Sequence, residues 1–348
     1  MASPPSTALH TEALVKTYRS GRGKTPVRAL DGLSFTVEPG TVFGLLGPNG
    51  AGKSTTVKIL ATLARADSGR AFVAGIDVAR NPDRVRRAIG LVAQRSVCDP
   101  MDTGRENLVL AGRLQGLSGR QAKARATELL DRFALTDAGH RRVSAYSGGM
   151  VRKLDVAMGL MHRPQVLFLD EPTTGLDPEA RAQLWAEIEQ VIHNEQTTVL
   201  LTTHYLEEAD RLARRLAIID HGRVVAHGTP EELKNEFRGD AVVLELVRGV
   251  PTGRALEILG RVPSLREVTS AGGTLRARAD SGAVALPQAL AALDEAGIAV
   301  ASATVARPSL DDVYLRHTGH TFADAQSRAE TGARSDDGAR SPAGEVAA

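Results

Sequence analysis

The sequence predicts an α/β fold, in which a mainly parallel sheet is covered by helices and a smaller α+β domain follows. Three observations carry this expectation. Short strands alternate with helices from residue 9 to 228, and several strands are apolar on both faces, as in a sheet buried on both sides. One strand–helix junction holds a glycine-rich run, TVFGLLGPNGAGKSTT, from Thr41 to Thr56. Beyond residue 240 the order of elements becomes β-α-β-β-α-β.

Residues 1–8 are Pro/Ser-rich and are expected to be disordered. A strand is expected over 13–18 and another around the alternating Leu33, Phe35 and Val37, with the polar run 20–28 between them as a flexible loop. Val42, Phe43, Leu45 and Leu46 mark the next strand. Val57, Ile59, Leu60 and Leu63 mark the helix after the glycines. A strand over 71–76, a helix over 82–88 and a strand over 89–93 follow. Residues 103–115 and 120–133 read as helices. Leu108, Leu110, Ala111 and Leu114 would share one face of the first, and Ala122, Ala126, Leu129, Leu130 and Phe133 one face of the second. A third helix after Ser147 carries Val151, Leu154, Met158 and Met161 on one stripe, so a helical insertion spans about 95–163. A strand over 166–169, a helix over 178–194, a strand over 198–203, a helix over 205–214 and a hairpin across His221-Gly222 complete the first domain. A linker helix within 229–240 leads to a domain over 241–318 whose βαββαβ order is ferredoxin-like. From 319 to 348 the chain is Gly/Ala/Ser/Asp/Arg-rich with one large apolar residue, Phe322, and reads as a disordered tail.

A net charge of +2 over 348 residues supplies no global field for nucleic acid. Cys98 is the only cysteine, which excludes an intramolecular disulfide or thiolate cluster and suits a reducing cytoplasm. The N-terminus has neither the basic nor the apolar region of a signal peptide. No apolar run approaches the ~20 residues of a membrane helix, so a membrane role is expected to run through a partner.

The glycine-rich run contains Gly47-x-x-x-x-Gly52-Lys53-Ser54, a phosphate-binding loop. Its residues Gly47, Pro48, Asn49, Gly50, Ala51 and Gly52 must curl so that backbone N–H groups face an anion, and side chains would obstruct that approach. The helix that follows adds its positive end. Lys53 can reach the β- and γ-phosphates, and the Ser54 hydroxyl can ligate Mg²⁺. The apolar strand at 166–169 delivers Asp170 and Glu171 at its C-terminal end, where an open α/β sheet binds its ligand. Asp170 is placed to hold Mg²⁺ through water, and Glu171 to polarise an attacking water. Two surface acids in a turn are the bland alternative. Ser147-Gly148-Gly149 opens a helix and offers a second anion site, although such a triplet alone is more often a helix cap.

With these motifs in order, the sequence resembles the ATP-binding cassette (ABC) transporter ATPases over about 10–228. Gly47–Ser54 is similar to the Walker A loop, Gln94 to the Q-loop glutamine, Ser147–Met150 to the signature, Val166–Glu171 to Walker B, Gly175-Leu176-Asp177 to the D-loop and His204 to the switch histidine. The resemblance implies a P-loop ABC ATPase fold with an antiparallel β subdomain and the helical insertion. It implies binding of ATP by Tyr18 and residues 47–55, including Thr55, and of Mg²⁺ by Ser54, Gln94 and Asp170. Catalytic roles would fall to Glu171, His204, Gln94 and Lys53. Ser147, Gly148, Gly149 and Met150 would act in trans, with Asp177 across a dimer interface. The implied partners are a second copy of the chain and a separately encoded integral membrane permease, without nucleic acid, at the cytoplasmic face of the cell membrane. Met150 departs from the usual glutamine, which puts contacts from that position to the opposite nucleotide in doubt. Residues 308–319 and the Tyr-Ser-Gly-Gly-Met variant resemble the daunorubicin/doxorubicin-resistance exporter ATPases. That implies drug efflux, with lipid or polysaccharide export, and after it a soluble ABC ATPase outside transport, as the alternatives.

Overall fold

The computed structural model describes residues 7–19, 26–236, 239–247, 251–271, 273–306 and 308–327. The chain divides into two compact units, 1–230 with 325–348, and 231–324.

In the first unit, β1 (Leu9–Tyr18) pairs antiparallel with β2 (Val27–Val37), Tyr18 opposite Val27. β3 (Val42–Leu46) and α1 (Lys53–Leu60) follow, then β4 (Ser68–Val73) and β5 (Ile76–Asp77). β4 returns to β1, giving an antiparallel sheet in the order β2-β1-β4-β5. Next come α2 (Pro82–Ala88), β6 (Ile89–Val92), α3 (Gly104–Leu114), α4 (Gly119–Arg132) and α5 (Gly148–Gly159). The unit continues with β7 (Val166–Asp170), α6 (Pro178–Glu195), β8 (Thr198–Thr203), α7 (Leu206–Leu212), β9 (Arg215–Asp220) and β10 (Arg223–Gly228). The second sheet runs β10-β9-β3-β8-β7-β6, parallel except for the edge strand β10.

β3, β7 and β8 are buried at every position, which is why they read as apolar runs rather than alternating ones. Their two faces feed different cores. Phe43, Leu45, Phe168 and Leu200 pack with α1 and the antiparallel sheet. Leu167, Leu169, Val199 and Leu201 pack with α4, α5 and α6 through Leu129, Phe133, Leu154 and Leu184. Each such fully buried side chain contributes about 1.5–3 kcal/mol. Because β3, β7 and β8 are neighbours and parallel, their C-terminal ends bring Gly47, Asp170 and His204 to one edge.

Capping boxes start two insertion helices, Thr103 with Glu106 at α3 and Ser118 with Gln121 at α4. The expected face of α4 is buried at all five positions. The expected face of α3 is not: Leu108 is buried, but Leu110 and Leu114 are 51% and 79% exposed. The helix instead buries Asn107, whose amide donates to the Asp99 and Thr103 carbonyls and accepts from the Asp99 N–H. Two other expectations need correction. Strand β2 begins at Val27, so the run expected to be loop up to 28 ends earlier, because pairing with Tyr18 draws Val27 and Arg28 into the sheet; residues 20–25 lie outside the described residues. Ala8, expected to be disordered, is buried and donates its N–H to the Val37 carbonyl, while residues 1–6 are outside the described set.

The second unit opens with α8 (Pro230–Asn235), then β11 (Asp240–Leu246), α9 (Thr252–Leu259), β12 (Arg266–Ala271), β13 (Thr274–Ala279), α10 (Gly282–Glu295), β14 (Val300–Ala306) and α11 (Leu310–Thr318). Its antiparallel sheet has the order β12-β13-β11-β14. This is the βαββαβ arrangement expected from the sequence. Val242, Leu244, Leu275 and Ala277 form one buried face against Ala255, Leu259, Ala289 and Leu293. The tail expected to be unstructured from 319 is ordered further. Phe322 is buried, its ring edge-on to Tyr314 at 4.9 Å, and residues 322–327 are helical. The Phe322 N–H also donates to Asp311 Oδ1 at 3.2 Å, so ring and backbone both hold the turn. Residues 328–348 lie outside the described set.

Candidate functional site

The edge formed by the ends of β3, β7 and β8 opens into a cleft of about 610 Å³. Asn49, Gly50, Gly52, Lys53, Ser54 and Thr55 line one wall, and Gln94, Glu171, Thr174 and His204 another, with Tyr18, Val27 and Ala29 at the rim. Gly47, Pro48 and Ala51 are buried behind the loop. Two glycines there are obligatory. A Cβ on Gly47 would lie 2.4 Å from the Ile219 carbonyl oxygen, and one on Gly52, at φ +111°, 2.6 Å from that of Ala29.

Glu171 is where the walls converge. Its Oε1 is 3.1 Å from Lys53 Nζ, and both side chains are buried. Its Oε2 lies 3.1 Å from His204 Nδ1 and accepts from Gln94 Nε2 at 3.2 Å and Thr174 Oγ1 at 3.3 Å. Burial alone would raise the Glu171 carboxyl, but His204 and Lys53 outweigh it and hold it at about 2. Burial pushes the Lys53 ammonium down, and Glu171 and Asp170 pull it back up. Lys53 also donates to the carbonyls of Gly47 and Pro48, at 2.7 and 3.1 Å. The backbone of Glu171 is left-handed, φ +50°, and its N–H is held by the carbonyl and hydroxyl oxygens of Thr202. Asp170 accepts from Ser54 Oγ at 3.1 Å and Thr202 Oγ1 at 2.6 Å.

The other expected site residues lie elsewhere. Ser147 and Gly148 are exposed, Gly149 and Met150 half-buried, and none lines the cleft. Ser147 Oγ caps its own helix by accepting from the Met150 N–H at 3.3 Å. Asp177 is exposed and accepts from the Ala180 N–H at 2.8 Å, capping α6.

Residues 30–174 match the ABC transporter family, and residues 228–318 match the C-terminal domain of the DrrA1-3-like ATP-binding proteins. Over 325 residues the chain is 47% identical to the daunorubicin resistance ATP-binding protein DrrA2 of Streptomyces coeruleorubidus, covering 92% of this chain and 98% of that one. The chain belongs to the ABC transporter family. It is also 44% identical to the Nod factor export ATP-binding protein I of Paraburkholderia xenovorans, across 66% of this chain and 73% of that one. Among solved structures, an ATP-binding subunit of an ABC transporter matches with a TM-score of 0.57 and 29% identity, over 66% of this chain and 93% of that one. This ABC-family chain is an ATPase, and its cleft gathers Lys53, Ser54, Gln94, Glu171 and His204, with Asp170 bound to Ser54 beside it.

Several contributors escape a reading of the sequence. Thr202 fixes both acids, and its only signal is a polar residue near the end of an apolar strand two positions before His204. Thr174 follows the acids closely enough to have been suspected. Val27 reaches the rim through pairing with Tyr18, and Ala29 sits at the register shift between Arg28 and Leu30, neither of which a local pattern announces.

Proposed function

We propose that this chain is the ATP-binding and ATP-hydrolysing subunit of an exporter, acting as a homodimer beneath a separately encoded membrane permease and powering efflux of an anthracycline-like drug. The observation that carries the reading is the convergence of Lys53, Gln94 and His204 on Glu171 in the cleft, while Ser147 and Gly148 stand exposed outside it. A single chain then holds two halves of different sites. The drug follows from the relative's name and the matching C-terminal domain. Likeness to the Nod factor export ATP-binding protein keeps an export substrate other than a drug, a lipid or polysaccharide, as the second reading.

Residues 47–55 cradle the triphosphate and Tyr18 stacks at the rim. Mg²⁺ suits the donors near β7: the Ser54 hydroxyl, the Asp170 carboxylate and the Gln94 amide are hard oxygen ligands, few enough to leave places for phosphate and water. When bound, the ion neutralises charge on the β- and γ-phosphates. Glu171, kept ionised by His204 and Lys53, takes the proton of the attacking water. An arriving phosphate draws Lys53 away from this carboxylate and leaves it free to act as base. His204 holds the γ-phosphate. Ser147, Gly148 and Gly149 of a second copy stabilise charge from the far side, with Asp177 at the interface. Among the described residues no helix is long and apolar enough to cross a membrane. Exposed Leu110 and Leu114, with Val97 and Met101 close to Gln94 in sequence, form the docking surface for the permease.

The test is Ser147→Arg, measured with and without the co-expressed permease across candidate drugs. ATP binding by the isolated chain is expected to persist while turnover falls by about 10²–10³ or more. Undiminished turnover would refute the shared site.

A further inference from the structure

Arg152 lies in α5 and is buried. Its guanidinium gathers backbone carbonyls from two other segments. Nε donates to Pro172 O at 2.6 Å and Nη1 to Ala93 O at 2.7 Å, and Nη2 reaches the carbonyl oxygens of Asp170 and Glu171 at 3.4 and 3.3 Å. Asp155, also buried, seats it from below, with Oδ2 3.5 Å from Nη1. The other oxygen, Oδ1, accepts from Ser96 Oγ, the Val97 N–H and Cys98 Sγ at 3.0, 3.3 and 3.3 Å. Cys98 is thereby committed, and burial with the nearby Asp155 charge raises its thiol to about 12.

We propose that Arg152, seated on Asp155, is a positioning residue that fixes the Asp170–Pro172 turn and the chain entering Gln94, and ties both to the helix opened by Ser147. The inference rests on the reading of Glu171 and Gln94 as catalytic groups. Glu171 needs such support, since a left-handed backbone at a residue with a side chain persists only where its surroundings hold it. Thr202 grips the N–H side of that residue and Arg152 the carbonyl side. Only a planar fork of five donors can serve four carbonyls at once; an ammonium or an amide cannot reproduce it. Of the contacts described, this is a direct link between the helix that would serve a second copy's nucleotide and the groups that serve the chain's own. A shift of α5 on dimer closure therefore reaches Glu171 and Gln94 through one side chain.

The experiment compares Arg152→Lys, Arg152→Gln and Asp155→Asn in the full chain, with kcat, equilibrium ATP affinity and thermal melting measured on each. A kcat loss of about 10- to 100-fold is expected, the range for removing a group that orients a working ligand. ATP affinity should stay within about twofold, because the phosphate loop is untouched. Arg152→Lys keeps the buried charge and carries the measurement if Arg152→Gln does not fold. A kcat within about twofold of the parent in a folded variant, or parallel loss of kcat and ATP affinity, would overturn the inference. A parent chain that hydrolyses no ATP would overturn the functional reading instead, and this one with it.

Discussion

Replacing Glu171 by Gln should tighten ATP binding while stopping hydrolysis, and the structure sets how much. Lys53 Nζ lies 3.1 Å from Glu171 Oε1, so an incoming phosphate must take the ammonium from a carboxylate. That exchange breaks a hydrogen bond between two charged groups, near the top of the range of about 1.5–3 kcal/mol, whereas with Gln the ammonium leaves a neutral amide oxygen, a bond charged on one side only and nearer the bottom of that range or below it. The difference, about 1–2 kcal/mol, corresponds to roughly 5–30-fold tighter binding. Hydrolysis falls because an amide cannot accept the water's proton. Dimer trapping would also raise apparent affinity, so the comparison belongs in a Ser147→Arg background, with nucleotide binding to the isolated chain read by calorimetry. Equal or weaker binding by the Gln variant would show that Lys53 does not exchange Glu171 for phosphate.

Two further outcomes follow from particular contacts. Glu208 is fully buried against Thr173 Oγ1 and Trp185 Nε1, and burial raises its carboxyl above the ordinary value of 4.5. A raised acid holds its proton to higher pH in the folded state than in the unfolded one, so its contribution is complete below the ordinary value and is lost as pH climbs through the folded pKa. Glu208→Gln should therefore melt higher than the parent at about pH 8, with the gap closing toward about pH 5; a gap independent of pH would refute this. Leu110→Ser with Leu114→Ser should abolish stimulation of ATPase by the permease while leaving basal turnover intact and stability within about 0.5 kcal/mol, as exposed positions allow. A stimulated double variant would place the docking surface elsewhere.

What the sequence disclosed depended on whether the residues concerned were covalent neighbours. Gly47 to Ser54 and Asp170-Glu171 were legible because each motif is continuous and sits at the end of a strand apolar enough to identify. The pairing of Lys53 with Glu171 was not, since it exists only because β3, β8 and β7 lie side by side. Helix α3 misled for another reason. Leu110, Ala111 and Leu114 obey helical spacing, yet the stripe that faces inward includes Asn107, a residue that pattern reading discounts. Its burial is tolerated only because the Asp99–Thr103 segment satisfies both ends of its amide. Phe322 failed in the opposite sense, as a single apolar residue in a polar tail is too little signal to announce an ordered turn.

Met150 stands where the resemblance places a glutamine, and its contacts show what the position does. Its backbone N–H is taken by Ser147 Oγ, and its side chain is half-buried against the helical core. Neither requires an amide, so the substitution leaves the start of α5 intact. A Cβ on Gly149 would lie 3.1 Å from that of Ala180, which fixes the signature turn against the start of α6. Ser147, Gly148 and Asp177 are therefore presented together on an exposed surface outside the chain's own cleft. On the proposed function, this surface faces the nucleotide of another copy. In that reading a serine hydroxyl and glycine N–H groups at a helix N-terminus serve that nucleotide, and the contacts of a glutamine amide are absent.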